Sequence, residues 1–344
     1  MFEPNYTISS KLNGLLIEIA ICKEKILSLN VLPKREIDLK QKARLRMIHS
    51  STAIEGNLLG LRDVEAVLKG KSVAKGKSKD GLEVINYQKV MQFIDKIANE
   101  QINDWEKIIF NIHKLTTDKL LVAKESGYYR TGPVYVVKQI SGKVVYKAPV
   151  AGEVKKMMKS FCKWLKDKTE SKLSPIVIAG IAHHELVTIH PFADGNGRTA
   201  RALATLVLYY KNYDIKKMFA LEDYYNLHRD EYYLAIQEAR KEKDLTFWLE
   251  YFSQGFLIEL RSVLEKVENF ALEMKANKSV YLSKRQRDIL DFISINRKIF
   301  RSDVVDIASV SSKTAYRELE ALRKLSIIER KGKGPSSHYV IRKD

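Results

Sequence analysis

The sequence predicts a mainly α-helical protein with one β-hairpin near its middle and a small mixed unit at its C-terminal end. Three observations carry this. Apolar residues recur at three- and four-residue spacing over most of the 344 residues, with few Gly or Pro inside those stretches. Segment 133–149 alone switches to β-branched and aromatic runs. Beyond about residue 276 the pattern breaks into short helical pieces and then two strand-like runs.

Taken in order, the helical spacing covers 37–54, 82–98, 153–168, 176–189, 198–210 and 245–274. The stretch 69–79, Lys69-Gly-Lys-Ser-Val-Ala-Lys-Gly-Lys-Ser-Lys79, is a polar, basic connection between helices. In 133–149 two strand-like runs flank Ile140-Ser141-Gly142, and Pro133 and Pro149, which cannot continue a ladder, bracket the hairpin. A boundary falls near 275–283, at Asn277-Lys278-Ser279. After it, 288–293, 301–308 and 311–325 read as helices, and 327–331 and 337–341 as strands around a Gly-Lys-Gly-Pro turn. Three helices followed by a two-stranded ribbon resemble a winged helix. The expected organisation is an N-terminal helical region over 1–84, a core over 85–275 and a winged helix over 276–344.

Charged residues make up 30% and the apolar set 45% of the chain, as in ordinary globular proteins. No run approaches the ~18 consecutive apolar residues a membrane helix needs, and the first residues, Met-Phe-Glu-Pro-Asn-Tyr, lack the pattern of a signal peptide. A cytoplasmic protein without a membrane partner is expected. Cys22 and Cys162, far apart in apolar helical stretches, read as reduced, buried thiols. The net charge of +18 permits an anionic partner. Residues 277–344 carry 16 Lys and Arg against 8 Asp and Glu, which makes this end the first place to seek nucleic-acid contact.

The chemistry concentrates in His190-Pro-Phe-Ala-Asp-Gly-Asn-Gly-Arg-Thr-Ala-Arg201, between one helical run and the next. Gly195 and Gly197 flank Asn196, so backbone N–H groups can approach a ligand closely. Those groups lie at a helix start, where orphan donors and the dipole favour an anion. Arg198 and Arg201, three apart, share one face and can meet one phosphate chain. Asp194 offers the oxygen ligand Mg²⁺ prefers, and Mg²⁺ commonly bridges phosphates. His190 titrates near neutrality and can take a proton from an attacking hydroxyl. Base, metal ligand, anion cradle and two arginines within one short segment describe a phosphoryl or nucleotidyl transfer site.

The same residues resemble the signature of the Fic family, His-x-Phe-x-Asp/Glu-Gly-Asn-Gly-Arg-x-x-Arg, with all eight fixed positions met. The resemblance covers about residues 85–260. It implies a Fic-type helical core with a β-hairpin flap, and transfer of AMP from ATP, with Mg²⁺, to a Ser, Thr or Tyr hydroxyl. By position it makes His190 the base and puts Phe192 beneath the loop. Asp194 becomes the Mg²⁺ ligand. Gly195, Asn196 and Gly197 cradle the α-phosphate side, and Arg198 and Arg201 hold the β- and γ-phosphates. The hairpin corresponds to the flap, which pairs with target backbone as an added strand.

Ser51-Thr-Ala-Ile-Glu55-Gly56 resembles the inhibitory motif of the class with an N-terminal inhibitory helix. That likeness implies that Glu55 pairs with Arg201 and takes the place of the γ-phosphate. It further implies a homodimer; self-modification is an added expectation, while the target protein stays unspecified. Other constellations carry less. His183-His184-Glu185 lacks the spacing of His-Glu-x-x-His and reads as packing. Gly76-Lys77-Ser78 lacks the first glycine of a phosphate loop, since Lys71 stands there. Tyr224, Tyr225, Tyr232 and Tyr233 read as core residues, one of which could line the adenine pocket.

In the C-terminal unit, Ser311 or Ser312 can cap the third helix, and Ala315, Leu319 and Leu322 form its buried stripe. Lys313, Thr314, Tyr316 and Arg317 then lie near the end that enters a major groove in this motif class. Arg330, Lys331 and Lys333 sit on the wing, within reach of phosphates. The segment resembles winged-helix domains of bacterial regulators, which bind DNA or serve as protein-binding modules. Two further readings stay open. One is a DNA-bound regulator whose Fic-like core senses nucleotide. The other is an enzyme of the same family that moves a different group or removes AMP.

Overall fold

The apolar spacing of the first hundred residues closes into α1 (Ser10–Ser28), α2 (Pro33–Ile54), α3 (Leu61–Leu68) and α4 (Lys79–Ile97). α2 starts four residues before the expected 37, at Pro33, whose fixed φ and missing N–H suit a first helical position. α4 buries a stripe of Val84, Tyr87, Met91 and Ile94 at the spacing of one helix face. α5 (Trp105–Thr116) begins at Asp104, whose carboxylate accepts from the Lys107 N–H. The computed structural model describes residues 2–71, 79–137, 144–276, 282–332, 334 and 337–342. Gly76-Lys77-Ser78, Ile140-Ser141-Gly142, Asn277-Lys278-Ser279 and Lys333 lie outside the described residues.

The middle of the chain holds β1 (Tyr135–Val137) and β2 (Val144–Lys147), then α6 (Ala151–Thr169), α7 (Pro175–Ile189) and α8 (Asn196–Tyr210). β1 and β2 pair antiparallel, Tyr135 opposite Lys147 and Val136 opposite Tyr146. α7 and α8 are buried on nearly every side, so their apolar residues show no single stripe. α9 (Leu221–Leu227), α10 (Arg229–Glu242) and the long α11 (Thr246–Ala276) follow. α11 closes on α7 at Gly180, where an added Cβ would meet Leu249 Cδ2 at 2.8 Å. There the Trp248 indole N–H donates to the Gly180 carbonyl at 2.7 Å. The fold class is mainly α, as expected from the spacing. No helix among the described residues is long and apolar enough to cross a membrane.

The chain ends in α12 (Lys284–Asn296), α13 (Arg301–Ala308), α14 (Ser312–Lys324) and the antiparallel pair β3 (Ile328–Lys331) and β4 (His338–Ile341). Ser283 and Gln286 cap α12 reciprocally, and Ser311 caps α14. Ile289, Leu290 and Ile293 pack with Val304, with Ala315, Leu319 and Leu322, and with Tyr339. Ile37 of α2 belongs to the same core. Two compact units result: 1–23, 45–215 and 220–261 form one, and 24–44, 216–219 and 262–344 the other. Neither is a single stretch of sequence. Cys22 and Cys162 are both buried thiols.

Candidate active site

The loop from α7 to α8 is shaped by its two ends. α7 stops at His190, which takes a left-handed conformation (φ 51°, ψ 58°), and Pro191 cannot extend the helix. α8 starts at Gly195, also left-handed (φ 78°), where an added Cβ would fall 2.9 Å from Thr117 Cγ2. Between them Asn196 closes the loop on itself: its side chain accepts from the Phe192 N–H at 3.0 Å and donates to the Phe192 carbonyl at 2.9 Å. Phe192 is fully buried and stacks on the His113 ring of α5, centroids 3.7 Å apart. His113 Nδ1 accepts from the Gly127 N–H at 2.9 Å, so its Nε2 carries the proton and donates to the Asp194 carbonyl at 2.9 Å. Phe192 and Asn196 thus build the loop from beneath.

Three histidine and arginine side chains define the face above it. His190 Nδ1 lies 3.1 Å from the Val187 carbonyl. A carbonyl only accepts, so Nδ1 holds the proton and Nε2 keeps a free lone pair. Arg198 is 3% exposed and its Nη1 lies 3.1 Å from Glu83 Oε1 of α4. That is ion-pair distance, yet the N–H vectors miss the carboxylate. Arg198 Nε and Nη1 are buried without a hydrogen-bond acceptor among the described residues. Arg201, 2% exposed, donates through Nε to Ser51 Oγ at 3.0 Å and through Nη2 to the Ser51 carbonyl at 2.8 Å and Glu55 Oε1 at 2.7 Å. Burial lowers the Arg201 pKa, but the Glu55 carboxylate together with the Tyr232 and Tyr87 hydroxyls outweighs it and the guanidinium is raised overall.

Glu55 also crowds the start of α8, since a Cβ on Gly197 would collide with its Oε1. Gly56 follows with φ 93°, where α2 has ended. Behind Arg201, the Tyr87 hydroxyl donates to the buried Glu222 at 3.4 Å. Asp194 is different: its side chain is 56% exposed, with one oxygen accepting from the Gly195 N–H at 2.6 Å. Among the described residues no group of three or more His, Cys, Asp or Glu could hold a metal ion. A single exposed carboxylate suits Mg²⁺, which keeps several waters and takes one or two protein carboxylates.

The hairpin is anchored to the end of α7 by two arginines that motif reading does not single out. Arg130 donates through Nε to the His190 carbonyl at 2.7 Å, and through Nη1 and Nη2 to the carbonyls of Gly132 and Pro149, one on each side of the hairpin, at 3.0 and 2.5 Å. Arg240 of α10 donates to the Val187 carbonyl at 2.6 Å and to Thr188 Oγ1 at 3.0 Å. Its guanidinium lies 3.7 Å from the ring centroid of Tyr146 on β2. The Tyr146 hydroxyl donates to the Thr188 carbonyl at 2.6 Å.

Residues 101–208 match the model of the Fic/DOC family. The chain carries a Fic/DOC domain. Over 170 residues it is 32% identical to proteins of Drosophila melanogaster and Drosophila sechellia called "Protein adenylyltransferase Fic", covering 49% of this chain and 33% of each relative. The chain therefore spans about a third of the length of these relatives. A Fic family protein from Desulfovibrio desulfuricans is similar over 100% of this chain and 99% of its own, with a TM-score of 0.66 and 25% identity. A Fic domain containing signaling protein from Bacteroides thetaiotaomicron shares the fold at 20% identity, TM-score 0.62, over 76% of this chain and 97% of its own.

Inside the Fic domain and the helices around it, burial depresses the histidines. His190 is pushed down to about 4, the Val187 carbonyl opposing and the Arg240 charge adding. His113 also falls to about 4 and His184 to about 3, and His183 lies well below its usual value, all chiefly through burial. His183 Nε2 meets the Tyr232 hydroxyl at 2.8 Å, and His184 Nε2 donates to the Ile236 carbonyl at 3.2 Å. Tyr225 and Tyr232 are core residues, Tyr224 nearly so, and Tyr233 is partly exposed.

These shifts make stability fall in acid. A histidine with a depressed folded pKa takes up its proton only on unfolding, so its stabilisation is full above the unfolded value of about 6.5 and is lost as pH falls towards about 4. Glu185 and Glu222, raised by burial to about 7, act in the opposite sense because they hold protons in the folded state. Four histidines against two glutamates leave a net loss below about pH 6. We expect the urea midpoint to be lower at pH 5 than at pH 6.5, by on the order of 1–2 kcal/mol in unfolding free energy. An unchanged midpoint would contradict the buried neutral histidines.

Proposed function

We propose that this Fic domain transfers the AMP part of ATP to a Ser, Thr or Tyr hydroxyl of a protein, either a target or its own chain, and that Glu55 restrains it. One observation carries the proposal: two buried arginines stand at the start of α8, one with unmet donors and the other held by Glu55. Buried guanidinium donors without acceptors cost stability unless an anion satisfies them. The helix start adds its own orphan N–H groups, at Gly197 and Arg198, for a phosphate. The Drosophila relatives' name supports AMP as the group moved.

In the transfer, the acceptor hydroxyl oxygen bonds to the α-phosphorus. The bond from that phosphorus to the oxygen bridging to the β-phosphate breaks, and pyrophosphate leaves with the electron pair. The hydroxyl proton passes to His190 Nε2, a neutral base at pH 7. Arg198 and Arg201 hold the β- and γ-phosphates, Gly195 and Gly197 let the backbone approach, and Phe192 and Asn196 keep the loop rigid. Asp194 would hold Mg²⁺, which when bound offsets charge on the phosphates. The flap edge, with Tyr135 and Val144 exposed, would receive target backbone.

The test uses ATP labelled at either the α- or the γ-phosphate. Protein-bound label from α-labelled ATP alone is the expected result, and its loss on chelating Mg²⁺ is the second. Label from γ-labelled ATP would instead establish phosphorylation and overturn the proposal.

The C-terminal helices and ribbon are proposed to form a winged helix that contacts DNA. Lys313, Tyr316 and Arg317 are exposed near the start of α14, with Thr314 half-buried between them. Lys331, exposed on β3, pairs with Glu329 at 3.1 Å, and the Arg330 Nη2 donates to Ser337 Oγ at 2.8 Å. Duplex binding should weaken steeply with salt and weaken further in Lys313→Glu with Arg317→Glu. Equal binding by that double variant would remove the assignment.

A further inference from the structure

We propose that Arg240 is a positioning residue for His190, fixing which ring nitrogen faces the cleft and tying that choice to the flap strand β2. The proposal rests on the reading of His190 as the base.

The Val187 carbonyl is the hinge of the arrangement. It accepts from His190 Nδ1 at 3.1 Å and from Arg240 Nη2 at 2.6 Å, using both lone pairs. Carbonyls in the last turn of a helix lack intrahelical partners, and a cation there is favourable. Arg240 also donates to Thr188 Oγ1, so its fork grips two successive residues of α7's final turn. With Val187 held, His190 has one well-placed acceptor for Nδ1–H, and Nε2 is left as the lone-pair nitrogen. The left-handed backbone of His190 is unfavourable for a non-glycine residue and needs such over-determination.

The coupling to the flap is equally direct. The Tyr146 ring of β2 lies over the Arg240 guanidinium, and the Tyr146 hydroxyl donates to the Thr188 carbonyl. A target strand added to the hairpin therefore meets a sheet already joined to the base through Arg240. Arg130 supports the same corner from the other side, through the His190 carbonyl and the hairpin's two flanks. The charged and titratable groups facing His190 are Arg240 from α10, Arg130 from the segment before β1 and Glu55 from the turn after α2. Those facing Arg240, besides His190, are Tyr146, Tyr232, Glu185 and His184.

The test compares the full chain with Arg240→Gln and Arg240→Lys, each also in the Glu55→Gly background. Nitrogen NMR of labelled histidine, assigned with His190→Ala, reads the tautomer without any turnover. The parent should show a single tautomer protonated at Nδ1. Arg240→Gln should show mixed tautomers and an upward-shifted titration, and Arg240→Lys an intermediate state. In the Glu55→Gly background, kcat should fall about ten- to a hundred-fold in Arg240→Gln with KM for ATP within about twofold. The acid limb of the rate profile should move up with the NMR titration. An unchanged His190 tautomer and titration in Arg240→Gln would overturn the positioning role. If no variant transfers label while NMR shows the expected changes, the functional reading has failed and the positioning role stands. Should Arg240→Gln not fold, Arg240→Lys supplies the same comparison, and an Nδ1-protonated ring unchanged there would equally overturn it.

Discussion

Glu55→Gly should raise incorporation of label from α-labelled ATP about ten- to a hundred-fold, the rate equivalent of the ~1.5–3 kcal/mol a charge-assisted buried contact contributes. Glu55 Oε1 occupies the guanidinium of Arg201 at 2.7 Å and the space over Gly197. In the proposed function both are places the triphosphate takes, so carboxylate and phosphate would compete for the same donors. The substitution has a structural cost as well. It removes the one carboxylate paired with this buried cation among the described residues and leaves it neutral partners, the Ser51 hydroxyl and carbonyl and the Tyr232 hydroxyl, which should lower the thermal midpoint without nucleotide. ATP should then stabilise Glu55→Gly more than the parent, since it restores an anion to Arg201. A variant that loses stability, regains none with ATP and gains no label would show that Glu55 is a structural counter-charge and not a restraint.

His190→Ala, made in the Glu55→Gly background, should lower the transfer rate by about 10²–10⁴ while leaving ATP binding intact. Among the described residues the side chain makes one hydrogen bond, to the Val187 carbonyl, and the Phe192–His113 stack that supports the loop does not involve it. Rate and binding should therefore separate. The intact base should also give a rate that stays level from pH 8 to well below 6.5, because a ring held near 4 is neutral throughout that range. A half-maximal rate near pH 6.5 would mean that nucleotide binding re-solvates the ring. Full activity of His190→Ala would assign the proton to another acceptor.

The parts of the site legible in the sequence are those carried by neighbouring residues. Helical spacing located α7 and α8, and the glycines between them marked where a backbone without Cβ is required. A buried stripe of Ala315, Leu319 and Leu322 followed from period alone, as all three are fully buried. Glu83 escaped notice, although it stands next to Val84 in the buried stripe of α4, and a carboxylate there needs a cation. His113 gave the same kind of signal, one histidine among Ile109, Ile112 and Thr116 on a buried helix face. Arg130 and Arg240 gave none, because nothing local distinguishes an arginine that caps a distant helix from one in solvent.

The sequence by itself determined the helical class and where the candidate site lies, because twelve consecutive residues hold a histidine, an aspartate, a glycine-flanked helix start and two arginines. Only the tertiary structure decided the state of that chemistry. Which nitrogen of His190 is free depends on the Val187 carbonyl and Arg240, and whether Arg201 is open to phosphate depends on Glu55, 146 residues away. Spacing along the chain follows from local geometry, whereas a buried charge is governed by whichever groups packing brings within about 4 Å.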